Sequence, residues 1–321
     1  MLEFIGSSWI GQLVAIVIGF AALIYGADWL VDGASGIAKR FGVSNLVIGL
    51  TVVAFGTSMP EFIVSFLAAM EGNTEIAITN ILGSNSINTL VILGCTALIY
   101  PIASQRSCRQ FNIPMSMIAG VLVILLAWNG SIPRWGGALL LFFFIWFLIR
   151  NIRSASNIPD EIDNNATPIL TIRKAVALVL IGLAGLVLGG ELVVRGATSM
   201  AHQLGVSDAI IGLTIVALGT SLPELATSCI AAAKKNCDLA LGNVIGSNIF
   251  NVFFILGVSA TIHPLPAYNG LILDAILVVV GAALVWLFVV ATEKHEIKRW
   301  HGAILLAVYA IYLAYRIMTL G

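Results

Sequence analysis

Residues Ile48–Ser65 read IGLTVVAFGTSMPEFIVS, and residues Ile211–Ser228, 163 positions later, read IGLTIVALGTSLPELATS. The copies are identical at twelve of eighteen positions, and each contains a Pro-Glu pair within an apolar run. A carboxylate in hydrocarbon is costly, and a proline there frees backbone groups that lipid cannot satisfy. Because this costly pair occurs twice, the repeat indicates a single site built from both copies.

The composition around this repeat is that of a membrane protein. Of 321 residues, 59% are hydrophobic and only 10% are charged, whereas a soluble domain carries about a quarter charged residues. Apolar runs of about 20 residues, long enough to cross a bilayer, recur along the chain. We therefore expect a polytopic protein whose surroundings are lipid. In such a protein the zero net charge is not evidence about soluble partners, and the lack of a basic stripe argues against a nucleic-acid partner.

The apolar runs predict an all-α membrane protein with ten transmembrane helices. They lie near residues 9–35, 43–69, 76–100, 112–129, 134–150, 172–198, 206–232, 239–262, 267–291 and 301–318. The only sizeable polar linker, residues 151–171, separates the halves. We therefore predict a first five-helix repeat at 1–150 and a second at 172–321.

The 163-residue offset extends beyond the signature. Gly83-Ser84-Asn85 corresponds to Gly246-Ser247-Asn248, and Asn88 corresponds to Asn251. Since each half has an odd number of spans, the second repeat must be inverted relative to the first, as in many secondary transporters.

The basic residues predict the orientation. If the spans alternate from an external N-terminus, thirteen of the sixteen Lys and Arg residues fall on the inner side, which agrees with the positive-inside rule. This places both termini outside, the linker in the cytoplasm, and the protein in the plasma (inner) membrane. The three predicted outside are Arg134, Arg195 and Arg316.

Two acidic residues differ from all the others in position. Glu61 and Glu224 lie near the centre of predicted spans, whereas the remaining acids lie in loops or near span ends. Pairing with basic residues for packing is the ordinary alternative, but no Lys or Arg lies at mid-depth. Asp28 and Glu191, near span ends, are expected to anchor at the membrane interface.

Helical spacing gathers oxygen atoms around each glutamate. Thr57 and Ser58 precede Glu61 by one turn and share its face. Within each copy a glycine and a proline bracket the Thr-Ser pair, which favours a broken helix whose freed carbonyls face a cavity. The second copy repeats the arrangement with Thr220, Ser221 and Glu224, and the freed carbonyls would be those of Ala54, Thr57, Ala217 and Thr220.

The span after each copy adds a second polar face. Ser84 and Asn88 lie four residues apart, as do Ser247 and Asn251. All these groups can provide oxygen ligands, which calcium and sodium prefer, whereas zinc, copper or iron sites usually contain His or Cys. We expect no cofactor. Asn85 and Asn248, one position off this face, are expected to support packing.

At these residues the chain resembles the calcium/cation antiporter superfamily, in particular its prokaryotic sodium/calcium exchanger branch, which has no large regulatory domain. The resemblance is carried by GTSxPE at Gly56–Glu61 and Gly219–Glu224, and by GSNxxN at Gly83–Asn88 and Gly246–Asn251. It implies a central core of spans 2, 3, 7 and 8, with spans 1 and 6 as long tilted helices that slide across it.

The resemblance also implies a set of ligands for each ion. Calcium would bind Glu61, Glu224 and the carbonyls of Thr57 and Thr220. Asn88 and Asn251 would be two central polar positions. Some relatives, notably the potassium-dependent exchangers, have Asp where this chain has Asn251, and this difference argues against co-transport of potassium. Sodium would bind Ala54, Thr57, Ser58, Glu61, Ser84, Ala217, Thr220, Ser221, Glu224 and Ser247.

These expectations describe an antiporter that exports calcium by using the sodium gradient. Shared ligands imply alternating occupancy by the two ions, and more than two sodium ions per calcium would move net charge. One chain holds the whole site, so a monomer suffices.

Exchange of protons for calcium or another divalent cation is the alternative on the same fold. An intramembrane enzyme would need a nucleophile–base pair or metal ligands at mid-depth, and a channel fits the duplicated broken helices less well.

Overall fold

The structure is a computed structural model that describes residues 8–155, 170–206, 211, 215 and 217–320. Most of the predicted linker and part of the second signature copy lie outside these residues. The helices are α1 (Trp9–Phe41), α2 (Asn45–Thr57), α3 (Met59–Met70), α4 (Thr74–Ile99), α5 (Cys108–Ala127), α6 (Arg134–Ala155), α7 (Ile172–Gln203), α8 (Ala217–Thr220), α9 (Leu222–Ala233), α10 (Cys237–Ile262), α11 (Leu271–Ala291) and α12 (Arg299–Leu320).

The described ranges contain eight helices long and apolar enough to cross a bilayer, and the bent α2–α3 pair makes nine if it is taken as one span. The chain is thus an all-α membrane protein. Because residues before α8 are only partly described, the count of ten spans and its division into two inverted repeats stay predictions.

The long helices α1 and α7 exceed their predicted spans. Helix α1 continues through Lys39 and Arg40, and ends where Gly42 adopts a left-handed conformation (φ 63°). Basic side chains in a last turn are favourable because they face the negative end of the helix dipole. The apolar run therefore marks only the part of the helix that is compatible with lipid.

Glycines allow α1 and α7 to approach each other closely. A Cβ added at Gly26 would lie 2.8 Å from the Gly182 carbonyl oxygen, and one added at Gly182 would lie 2.7 Å from that of Gly26. Small residues at helix crossings are a common means of association in membranes, where lipid tails remove most of the hydrophobic drive.

Each signature copy breaks its helix at the serine of GTSxPE. Helices α2 and α3 meet at Ser58 with a bend of 51°, and Pro60 lies in the first turn of α3. In the second copy α8 ends at Thr220 and α9 begins at Leu222, again with proline in the first turn. Proline is tolerated there because first-turn N–H groups have no intrahelical acceptor.

Helices α4 and α10 form the buried centre of the bundle, and α10 is the more deeply buried. Each contains a π-helical stretch, Ile87–Ile92 in α4 and Phe250–Leu256 in α10. Asn88 and Asn251 lie within these stretches. Widened turns of this kind are often found at functional sites, and the sequence did not predict them.

Two short antiparallel strand pairs connect loops from the two halves. Strand β1 (Ile102–Ala103) pairs with β4 (Glu296–Ile297), and β2 (Ser131–Ile132) pairs with β3 (Leu265–Pro266). The first pair joins two loops predicted to be cytoplasmic, and the second joins two predicted to be external.

Candidate ion-binding site

The two signature glutamates are buried together at the helix breaks. Glu61 lies in the first turn of α3 and Glu224 in the first turn of α9, with 1% and 0% of their surface exposed. Both carboxylates therefore lie at the positive end of a helix dipole, which favours their negative charge. Burial makes a partner for that charge necessary.

Serines from the opposite copy contact each carboxylate. Ser58 donates to Glu224 Oε1 at 2.9 Å, and Ser221 donates to Glu61 Oε1 at 3.4 Å. Ser84, from α4, donates to the same Glu61 oxygen at 3.5 Å. The predicted site residues of the two halves thus meet, and each carboxylate depends on the other half for a hydrogen bond.

Several buried oxygens at this site have no hydrogen-bond partner among the described residues. They include the second carboxylate oxygen of each glutamate and two hydroxyls beside them. Buried polar atoms are normally paired, and leaving one unpaired costs about 1–3 kcal/mol. Oxygens without donors are the groups that a cation could coordinate. These atoms are Glu61 Oε2, Glu224 Oε2, Thr220 Oγ1 and Ser247 Oγ.

One of the predicted carbonyl ligands, that of Ala54, is hydrogen-bonded within its own helix. The Ala54 carbonyl accepts from the Ser58 amide at 3.1 Å and from Thr57 Oγ1 at 3.4 Å. The helix break at Ser58 therefore leaves the hydrogen bond from the Ser58 amide to the Ala54 carbonyl intact. Ala217 and Thr220 lie at the corresponding positions in α8, immediately before the second break.

Two asparagines that sequence reasoning missed fix the glutamate backbones. Asn80 donates to the Glu61 carbonyl at 3.3 Å and to Ser65 Oγ at 2.9 Å. The equivalent pair is formed by Asn243, which donates to the Glu224 carbonyl at 3.3 Å and to Ser228 Oγ at 2.9 Å. These residues also recur at the 163-residue offset, and that signal could have identified them.

The central asparagines differ in their contacts. Asn88 and Asn251 are both fully buried. Asn251 donates to Asn85 Oδ1 at 2.9 Å, whereas the amide of Asn88 has no partner among the described residues. Asn85 in turn donates to the Asn248 carbonyl at 3.1 Å, so this pair joins α4 to α10 in the manner expected for packing.

Two other described acids form ion pairs with basic residues. Asp28 pairs with Lys234 at 2.8 Å and Glu191 with Arg195 at 2.5 Å. In the described part of the chain, no group of three His, Cys, Asp or Glu side chains could hold a metal ion. The central cluster therefore consists of two carboxylates surrounded by neutral oxygens.

A bundle of apolar helices around two buried carboxylates and unpaired hydroxyl oxygens defines the class of membrane cation transporters. The family model described as sodium/calcium exchanger protein matches residues 11–153 and 174–318. The chain belongs to this family, in the prokaryotic sodium/calcium exchanger branch of the calcium/cation antiporter superfamily. Its family and structural neighbours are transporters, not enzymes.

Similar proteins cover nearly the whole chain. The sodium/calcium exchanger MaX1 of Methanosarcina acetivorans is 31% identical over 344 residues, with 94% of this chain and 97% of that protein covered. The putative antiporter CaxA of Alkalimonas amylolytica is 41% identical over 257 residues, with 78% and 81% covered. A solved structure of the sodium-calcium exchanger NCX_Mj, soaked with Na+ and Sr2+, has a TM-score of 0.83 and 36% identity, with 96% of this chain and 99% of that chain covered.

Proposed function

We propose that this protein is a secondary antiporter that exchanges Na+ for Ca2+ by alternating access and exports calcium electrogenically. The observation that carries this proposal is the reciprocal arrangement of Glu61 and Glu224. Each accepts a hydrogen bond from a serine of the other half and keeps one buried oxygen unpaired.

Calcium would occupy the space between the two carboxylates. Two negative charges balance one divalent cation, and about 6–8 oxygen ligands in adaptable geometry suit calcium. No basic side chain was predicted at mid-depth, so the cation itself would supply the missing positive charge. The ligands would be Glu61 and Glu224 with the carbonyls of Thr57 and Thr220.

Sodium ions would use an overlapping set of oxygens. The serine hydroxyls lie against the same carboxylate oxygens that calcium would need, so the two loads compete. Two carboxylates cannot neutralise calcium and several sodium ions together, which favours exchange over co-transport. The set is Ala54, Thr57, Ser58, Glu61, Ser84, Ala217, Thr220, Ser221, Glu224 and Ser247.

Alternating access would come from movement of α1 and α7 across the core. These helices pack tightly on each other, yet each is a single long helix that could slide as a rod. The odd number of predicted spans per half supplies matching pathways to the two sides. We place the protein in the plasma (inner) membrane with both termini outside and residues 151–171 in the cytoplasm, acting as a monomer.

Radioactive calcium uptake into proteoliposomes tests the proposal. Vesicles loaded with sodium and diluted into sodium-free buffer should accumulate calcium, and an imposed membrane potential should change the rate. Protein-free vesicles are the control. Calcium uptake driven by a pH gradient in the absence of sodium would instead identify a proton/calcium exchanger, and calcium flux without any counter-ion gradient would indicate a channel.

A further inference from the structure

A polar cluster ties α1 to the end of α9. Lys234 Nζ lies 2.8 Å from Asp28 Oδ1 and 2.6 Å from Asp32 Oδ1, so one cation bridges two acids on successive turns of α1. Two residues further on, Asn236 donates to Ser35 Oγ at 3.1 Å. We call these five residues the first latch.

The sequence repeat places a second set of five residues at the corresponding positions. Two charges have the opposite sign, but the set still contains an acid and a base that could bridge α7 to the end of α3. The first-latch residues Asp28, Asp32, Ser35, Lys234 and Asn236 correspond to Glu191, Arg195, Thr198, Glu71 and Asn73, the second latch.

The second latch is not joined in this structure. Arg195 donates to Glu191 on its own helix, and Asn73 donates to Glu71 at 3.4 Å. The buried hydroxyl of Thr198 has no partner among the described residues. Helix α1 packs against α9, whereas in the described ranges α7 makes no comparable contact with α3.

We propose that the two latches alternate during transport. The first latch closes the predicted cytoplasmic side in the state described here, while the second latch, on the predicted external side, is not joined. In the opposite state α7 approaches α3, Arg195 transfers from Glu191 to Glu71, Asn73 donates to Thr198, and Lys234 releases α1. This inference rests on the proposed alternating access and assigns positioning residues to it.

The strength of the latches fits such an exchange. The ion-paired side chains are between 32% and 51% exposed, and exposed pairs of this kind shift an equilibrium by about two- to fivefold. A bias of this size stabilises each end state without preventing the transition between them.

Disulfide trapping tests the second latch directly. In a background whose four native cysteines are replaced by alanine, Asn73→Cys with Thr198→Cys should crosslink to an extent that depends on the sodium and calcium supplied. The crosslink should stop flux until it is reduced. Ser35→Cys with Asn236→Cys is the matched control, which should crosslink in the state described here. If the control pair crosslinks and the second pair does so under no ion condition, α7 does not approach α3 and the proposal fails.

Charge exchange in the otherwise native chain gives a second measurement. Arg195→Asp would leave three acids in the second latch and should slow exchange about two- to fivefold. Adding Glu71→Lys should restore the rate, because the second latch then carries the charges of the first. Arg153→Asp, at an exposed position on α6, is the control and should leave the rate unchanged. A double variant as slow as Arg195→Asp would overturn the proposal.

The crosslinking test stays informative if sodium is not the driving ion, because calcium can be varied alone. If the protein exchanges protons for calcium, the proposed function fails while calcium-dependent crosslinking persists. If sodium drives calcium flux normally but the second pair does not crosslink, only the latch is wrong.

Discussion

The two copies of the signature share twelve of eighteen residues, yet they make different contacts. Ser58 reaches Glu224 at 2.9 Å, whereas Ser221 reaches Glu61 at 3.4 Å. Thr57 donates to Asn243 Oδ1 at 3.1 Å, whereas the hydroxyl of its counterpart has no partner among the described residues. The difference extends to the ends of the bundle, where only the first latch is closed.

The asymmetry shows that equivalent segments of the two halves have different surroundings in one conformation. Each half contains the groups that the other half uses, so exchanging the two environments needs no new residues. A repeat protein of this kind can therefore have two end states of similar free energy. Under the alternating access proposed above, the first copy would adopt the contacts of the second in the opposite state.

The largest expected effect comes from neutralising either glutamate. Glu61→Gln and Glu224→Gln should each lower sodium-dependent calcium flux about 100- to 1000-fold, since one unit charge at 4 Å contributes about 4 kcal/mol at an effective dielectric constant of 20. The measurement is calcium uptake into proteoliposomes. Glu75→Gln, at an exposed position in the first turn of α4, is the control. Normal flux in either core variant would show that the carboxylates do not form the site.

Removing the bridging serines should have a smaller and unequal effect. Ser58→Ala should raise the sodium concentration for half-maximal flux about tenfold, because hydrogen bonds to charged groups contribute about 1.5–3 kcal/mol. Ser221→Ala, whose bond is longer, should raise it less. Ser86→Ala removes a hydroxyl bonded to its own helix at 2.9 Å and serves as control. Equal shifts for the two site serines would mean that the asymmetry disappears in the working protein.

Glycine substitutions on the two sides of the α1–α7 contact should lower the stability of the protein by equal amounts. Gly26→Ala and Gly182→Ala each place a methyl group under 3.0 Å from the carbonyl of the facing helix. Each should destabilise the protein by about 1–3 kcal/mol through overpacking, measured by thermal unfolding in detergent. Gly185→Ala, whose added Cβ is 3.4 Å from its nearest neighbours, should be tolerated. A large difference between the first two would contradict a symmetric contact.

The smallest difference is expected at the signature threonines. Thr57→Val removes the bond to Asn243 and should lower stability by about 1 kcal/mol. Thr220→Val removes a hydroxyl without a hydrogen-bond partner among the described residues and should cost less. Thermal unfolding in the absence of transported ions measures both, and the reverse order would argue that the second copy is the better bonded one.

The membrane class, the family and a helix break in the segment between Gly56 and Pro60 were predicted correctly from the sequence. High hydropathy over about 20 residues indicates a lipid environment, and Pro60 disfavours a helix interior because it has no N–H to donate and clashes with the preceding turn. The burial of Glu61 and Glu224 was also predicted, because a carboxylate in the middle of a span avoids lipid by facing the interior of the bundle. The ion assignments and the ten-span inverted repeat stay predictions.

Other features could not be read from the chain. The sequence predicted that the Ala54 carbonyl is free. It remains hydrogen-bonded because the helix break begins at Ser58, whose amide still donates to it, as does Thr57 Oγ1. The π-helical stretches around Asn88 and Asn251 have no signature of their own, since they depend on the packing of α4 against α10. Asn80 and Asn243 were missed because a buried amide is informative only when its partners are known.

The amino-acid sequence is enough to identify a duplicated membrane protein of the sodium/calcium exchanger family with one carboxylate near the centre of each repeated segment. Those facts depend on local composition and on spacing along the chain. Helix packing determines which serine bonds to which carboxylate, and why Lys234 holds α1 while Glu71 does not hold α7. These pairs of residues are more than 120 positions apart in the chain. Their choice depends on how the helices pack, and the same residues can pack in more than one way.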